Sequence, residues 1–247
     1  MTKHEIIKYI DAGANFYLDF FGDAVHMKTT DNGVYREICP KDGEHGIRFI
    51  YDLRLEHLPD EAAQAKIAEL KALSLPVWWP LHSEKVQRLL QGKDYVPQPP
   101  VEGDEFYMAL FPENLPDIIS TGAEITQVNS AANFELWANM ANQIFANGYQ
   151  DIHPINHYHW CEKNLLIPYI VCCEDNPVAI SAILNNKGIA SLEFVATLPE
   201  YRRRGFAKAA SITAIKDAFA NGAKIITLRA FFPASILYQS LGFQIYY

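Results

Sequence analysis

The chain has 247 residues, 49% apolar and 20% charged, and 29 acidic side chains against 21 Lys and Arg give it a formal net charge of −8. That balance excludes the basic footprint of a nucleic-acid binder, and no run approaches the ~20 apolar residues of a membrane span. The opening Met1-Thr2-Lys3-His4-Glu5 lacks the basic head and apolar run of a signal peptide, so the expected location is cytoplasmic.

Four cysteines, Cys39, Cys161, Cys172 and Cys173, form no disulfide framework by spacing and suit a reducing compartment. The aromatic share of 13%, with 14 Phe and 13 Tyr, favours sheet-rich packing.

In chain order, helical spacing of Ile6, Ile7, Ile10, Ala14, Leu18 and Phe21 predicts a helix over 4–21. Strands are expected at 24–28, 34–38 and 46–55, separated by the turns Asp31-Asn32-Gly33 and Lys41-Asp42-Gly43. Pro59-Asp60-Glu61 opens a helix to about Leu73, Pro76 to Trp79 reads as a buried strand, and Glu84 to Leu90 as a short helix. The stretch 96–102 is irregular on its proline content, and Glu105 to Phe111 returns to strand. Three segments are expected: a domain over 1–115, a linker over 116–122 and a second domain over 123–247.

The second domain alternates strands and helices. Strands are expected at 125–128, 167–174, 177–184, 189–197, 224–229 and 243–247, with a mixed His-rich segment over 152–165. Helices are expected from Ser130 to about Asn147 with Gly148 as its stop, over 204–220, and over 234–240. The fold class is mixed α/β, and the strand–helix–strand run over 190–229 requires a parallel pair joined by a crossover.

The sequence Phe194-Val-Ala-Thr-Leu-Pro-Glu-Tyr-Arg202-Arg203-Arg204-Gly205-Phe206-Ala207 is a strand, a short turn and a helix start. Free N–H groups at a helix start bind phosphate, Gly205 leaves room for a ligand against the backbone, and three arginines add charge. Arg202 to Ala207 resembles the Arg/Gln-x-x-Gly-x-Gly/Ala signature of the GNAT N-acetyltransferase superfamily. Ala234-Ser235-Ile-Leu-Tyr238-Gln-Ser-Leu-Gly242-Phe243 resembles that family's later motif, in which Leu-Tyr precedes Leu-Gly-Phe. The resemblance covers about 123–247.

It implies a mixed sheet flanked by helices and acetyl-coenzyme A as co-substrate; no metal is expected. The pantetheine arm would lie along Val195, Ala196 and Thr197. The pyrophosphate would lie on the backbone of Arg202, Arg203, Arg204, Gly205, Phe206 and Ala207, with Lys208 and Ser235 as further contacts. Tyr238 would be the acid that protonates the leaving thiolate. Glu193 is the candidate base, and strand alternation is expected to put it on one side with Val195 and Thr197; Glu135 is a weaker candidate.

His153-Pro-Ile-Asn-His157-Tyr-His159-Trp-Cys161 has ligands too close together for most four-ligand zinc sites. It reads either as a lining of the acceptor pocket, by cation–π contact, or as packing. In the first half, Leu75-Pro-Val-Trp-Trp-Pro80 and the helix after it echo Ile225 to Ser240, with Arg88 where Tyr238 stands. The N-terminal domain is therefore expected to be a degenerate half-copy of the same fold, with no Arg-x-x-Gly-x-Ala and with an acidic helix start that would repel a pyrophosphate. Trp78, Trp79 and Tyr107 read as core.

The expected activity is transfer of acetyl to a primary amine of a small molecule, in a ternary complex, by a monomer or homodimer. The alternative is a non-catalytic module that senses an acyl-coenzyme A.

Overall fold

The computed structural model describes residues 1–42, 48–91, 105–116, 123–145 and 152–247, and packing divides the chain into two units, residues 1–99 and 100–247.

In the first unit, helix α1 (Lys3–Gly22) opens on a reciprocal cap. The Glu5 amide donates to Thr2 Oγ1 at 3.2 Å, and the Thr2 amide donates to the Glu5 carboxylate at 2.7 Å. Its apolar face, Ile6, Ile7, Ile10, Ala14 and Leu18, is buried as the spacing predicts. Strands β1 (Met27–Asp31), β2 (Arg36–Pro40) and β3 (Phe49–Tyr51) form an antiparallel sheet. The buried Tyr51 hydroxyl donates to Asp19 of α1 at 2.6 Å, and Arg36 both pairs with Asp19 at 2.6 Å and lies over the Tyr51 ring. This couples α1 to the sheet through a charge-assisted contact.

Helices α2 (Asp60–Ala72) and α3 (Glu84–Gln91) follow. The strand expected over Pro76–Trp79 is reduced to one parallel bridge, Ile50 with Val77. Prolines at both ends, Pro76 and Pro80, have no N–H to extend the ladder. The start of α2 is occupied by Asp60, which pairs with Lys85 at 3.2 Å and with Arg88 at 2.7 Å.

The second unit contains, in order, β4 (Glu105–Leu110), β5 (Glu124–Gln127), α4 (Ala131–Ile144), α5 (Pro154–Glu162), β6 (Leu166–Cys173), β7 (Asn176–Asn186), β8 (Ile189–Thr197), α6 (Phe206–Ala220), β9 (Ile225–Phe231), α7 (Ala234–Gln239) and β10 (Gln244–Ile245). Ser130 caps α4 by accepting from the Asn133 amide at 3.3 Å. Gly148, read as that helix's stop, lies outside the described residues, as do 96–102 and 117–122.

The seven strands form one sheet in the order β10-β4-β9-β8-β7-β6-β5. Every pair is antiparallel except β8 with β9, which α6 joins as the expected crossover. The division of the chain differs from the expectation of domains over 1–115 and 123–247. Strand β4, read as the end of the N-terminal domain, is an interior strand of the large sheet, with Glu105 to Leu110 in register with Phe231 to Ile226. Its apolar side chains Met108 and Leu110 join the core of the second unit, with Ile212, Ile215, Ile226, Leu228 and Tyr238. A strand's allegiance is set by its ladder partners, which here lie more than a hundred residues away in sequence.

Both units contain three antiparallel strands, then a helix, then a segment parallel to the third strand, then a helix.

Candidate active site

Strands β8 and β9 pair only at their beginnings, Ile189 to Ser191 with Ile225 to Thr227. Beyond Ser191 and Thr227 they continue, to Thr197 and Phe231, without pairing to each other. The other edge of β8 stays laddered to β7, but the register slips between Ala182 opposite Glu193 and Ile180 opposite Ala196. The slip is a bulge built on Phe194, whose φ of 54° is in the left-handed region. Packing holds it there: Phe194 is buried, edge-on to Trp137 of α4 at 5.1 Å and to Phe145 at 6.3 Å. Trp137 is itself fixed by donating to the Ser181 carbonyl at 3.1 Å.

The bulge overturns the expected alternation. Ala190 and Leu192 pack into the core that contains Ile212 and Ile215 of α6, and Val195 packs against the same core, while Phe194 turns to α4. The extra residue inverts the faces, so Glu193 and Val195 do not share one.

The turn after β8 runs through a single 3₁₀ turn, Pro199–Tyr201, to Arg203 at φ 62° and Gly205 at φ 87°. Gly205 is the N-cap of α6, and no side chain caps the helix. The first amide bonded back into the turn is that of Ala209, to the Gly205 carbonyl at 3.0 Å. The amides of Phe206, Ala207 and Lys208 are thus orphan donors at the positive end of a 15-residue helix. Arg202, Arg203 and Arg204 are exposed around this end, Ala207 and Lys208 are half-buried, and Phe206 is buried. Arg204 lies over the rings of Tyr201 and Phe206, and Arg202 donates to the Thr197 carbonyl at 3.2 Å. Ala196 and Thr197 are buried at the end of β8, and the Thr197 hydroxyl has no hydrogen-bond partner.

Tyr238 and Ser235 are both buried on α7. Tyr238 packs edge-on to Phe243 at 5.9 Å within the main core. The Leu-Gly-Phe motif has a steric basis: Gly242 has φ 92°, and a Cβ there would be driven into the Asn114 carbonyl oxygen. Burial, with the charge of nearby Glu193, pushes the Tyr238 phenol well above its ordinary pKa, so it stays protonated at neutral pH.

Burial pushes the Glu193 carboxyl up from 4.5 to about 7. Arg229 and a hydrogen bond from Ser191 Oγ oppose that rise, and Glu105 adds to it. Arg229 pairs with Glu105 at 3.6 Å. Glu193 on β8 and Tyr238 on α7 approach the parting of β8 from β9 from opposite faces of the sheet, near enough for the charge of Glu193 to act on the phenol, and that parting is the candidate centre. Ser191, Arg229 and Glu105 belong to it as well and were missed in the sequence, although a lone arginine in the apolar run Ile225–Phe231 was a signal.

The His-rich segment is helix α5 rather than mixed structure. His157 and Trp160 are buried, and Tyr158 packs against Phe134 of α4 at 5.6 Å, so packing is what most of this segment does. Glu135 is solvent-exposed. Among the described residues no group of three or more His, Cys, Asp or Glu is placed to hold a metal, and no helix is long and apolar enough to cross a membrane.

No curated protein matches the sequence. Among solved structures, the chain resembles a GCN5-related N-acetyltransferase from Kribbella flavida, with 16% identity, TM-score 0.57, and 95% of this chain and 91% of that one covered. It also resembles a GNAT-family protein from Novosphingobium aromaticivorans DSM 12444 (18%, TM-score 0.52, 97% and 91%). A third is a GCN5-related N-acetyltransferase from Sphaerobacter thermophilus (14%, TM-score 0.54, 87% and 79%). At these identities the likeness establishes the fold. The family model for the acetyltransferase (GNAT) family matches residues 134–243. That span takes in the bulged strand, the uncapped helix start and the Leu-Gly-Phe motif, and it is this part of the chain that matches the GNAT acetyltransferase family.

Proposed function

We propose that the second unit transfers an acetyl group from acetyl-coenzyme A to a primary amine of a small molecule, directly, with both substrates bound. The observation that carries this reading is the parting of β8 from β9 in front of a helix start with no side-chain cap among the described residues. Acetyl-coenzyme A supplies the activated thioester. Its pyrophosphate suits the amides of Phe206, Ala207 and Lys208, with Arg202, Arg203 and Arg204 adding charge and Gly205 leaving the backbone bare. Its pantetheine arm suits the backbone of Val195, Ala196 and Thr197, with Ser235 across on α7. The orphan Thr197 hydroxyl supports this, since a buried polar group without a partner is costly unless a ligand meets it.

An ammonium cannot attack a carbonyl. Glu193, with a pKa near neutrality, is suited to take that proton at its carboxylate. Tyr238, held protonated, is suited to deliver a proton from its hydroxyl to the departing sulfur. An acceptor that arrives as a cation is favoured by the net negative charge of Glu193 and Glu105 against the single Arg229.

In the first unit, Asp60 with Lys85 and Arg88 fills the helix start that corresponds to the cofactor turn. This supports reading it as a degenerate copy without a cofactor site, its own cations satisfied internally.

The test is thiol release from acetyl-coenzyme A across a panel of amines. Amine-dependent release that Tyr238→Phe slows supports the enzyme. Binding of coenzyme A with no release for any amine, unchanged by Tyr238→Phe, supports a sensor instead.

A further inference from the structure

The sheet face that carries Glu193 also carries a charged pair that the motif does not include. Residues Ala190 and Leu192 of β8, Ile226, Leu228 and Ala230 of β9, and Met108 and Leu110 of β4 point into the core beside α6 and α7. Strand alternation sends Ser191 and Glu193, Arg229, and Glu105 to the other face. Glu105 is in register with Phe231, and Tyr107 with Arg229, so Glu105 and Arg229 are diagonal neighbours on that face, within reach of each other. They make their ion pair there at 3.6 Å, with Arg229 only 11% exposed. Among the described residues, Arg229 from β9 and Glu105 from β4 act on Glu193, and Glu193 in turn acts on Tyr238 of α7; the register partner of Glu193 on β7 is Ala182.

We propose that Glu105 and Arg229 form a positioning couple for Glu193, in which Glu105 holds the Arg229 guanidinium and keeps it from closing onto Glu193 as a dedicated ion-pair partner. The proposal rests on Glu193 being the base. The physical reason is competition for one cation. A guanidinium shared with Glu105 spends only part of its field on Glu193; unshared, it would turn Glu193 into an ordinary ion-paired carboxylate, too weak a base for an ammonium. Without the guanidinium, two carboxylates would face each other and Glu193 would hold its proton too tightly. The two partners therefore act in opposite directions, which ordinary structural support does not.

The test uses the full chain labelled with ¹³C at glutamate carboxyls. The Glu193 resonance is identified by its loss in Glu193→Gln and followed by NMR from pH 4 to 9. Glu105→Gln is expected to lower its midpoint by about one pH unit and Arg229→Gln to raise it by a similar amount. Arg229→Lys, which keeps the charge if the glutamine variant fails to fold, is expected to leave the midpoint in place. The acid limb of the rate of amine-dependent thiol release should follow the same two shifts. Midpoints that do not move, or move in one direction, overturn the couple while leaving Glu193 as base if Glu193→Gln abolishes the limb. A limb that survives Glu193→Gln overturns the base assignment, and the couple's catalytic role with it.

Discussion

Glu193→Gln removes one ionisable group at the junction of β8, β9 and α7 and keeps the shape of the side chain. The carbonyl oxygen of the amide can still accept from Ser191 Oγ, so the contact found in the parent is retained. The Glu193 pKa is raised on folding, from 4.5 to about 7. Below pH 4.5 the carboxyl is protonated in both the folded and unfolded chain, and the contribution to stability is complete. As pH rises from 4.5 towards 7 the unfolded chain ionises first, and stability is lost progressively until the folded form ionises as well. At ~1.4 kcal/mol per pKa unit this gap amounts to about 3 kcal/mol, reduced to roughly 1–3 kcal/mol by the side chain's partial exposure. Glutamine does not titrate. The stability of Glu193→Gln relative to the parent should therefore rise by ~1–3 kcal/mol between pH 4.5 and pH 8. Urea unfolding of both proteins at a series of pH values measures this, and titrations common to both cancel in the difference. A difference that is flat with pH, or that falls, refutes the reasoning about burial at this position.

Tyr238→Phe keeps the buried ring against Phe243 and removes only the hydroxyl, so melting should change little while the rate of thiol release falls by ~10²–10⁴. Gly205→Val puts a β-branched residue at φ 87°, at a strain of about 1–2 kcal/mol, and covers the helix start. Coenzyme A should raise the melting temperature of the parent and not of this variant. A fragment over 123–247, cut where the sequence suggested, lacks β4 and leaves β9 and β10 with no partner between them. It should be insoluble or unfolded by circular dichroism, and extending it to begin at 100 should restore a folded protein.

Much of the turn at the candidate site was legible in the sequence, because it is local. A turn between a strand and a helix, with Gly205 at a positive φ and α6 starting on the next residue, is written in consecutive residues. Leu-Gly-Phe is legible for the same reason, although its cause, the Asn114 carbonyl packed against Gly242, is more than a hundred residues away. The Phe194 bulge was not legible, since nothing in Glu-Phe-Val-Ala signals a left-handed residue; Trp137 and Phe145 impose it from another element. The place of β4 was hidden for a similar reason: its alternation reads correctly as a strand, but a strand's partners are not in its own sequence. The charged couple of Glu105 and Arg229 followed β4 out of view.

The interior position of β4 also has a temporal side. A growing chain makes Glu105 some 126 residues before Phe231, its register partner. At about 5–20 residues per second, that interval is on the order of 10 s. Throughout it, an apolar ribbon carrying Met108 and Leu110 waits beside a half-built sheet, while β5 to β8 can already zip together as neighbours. The mature sheet closes only when β9 and β10 arrive to sandwich it, which makes this ribbon the place where a chaperone has most to shield and where premature release would most readily end in aggregation.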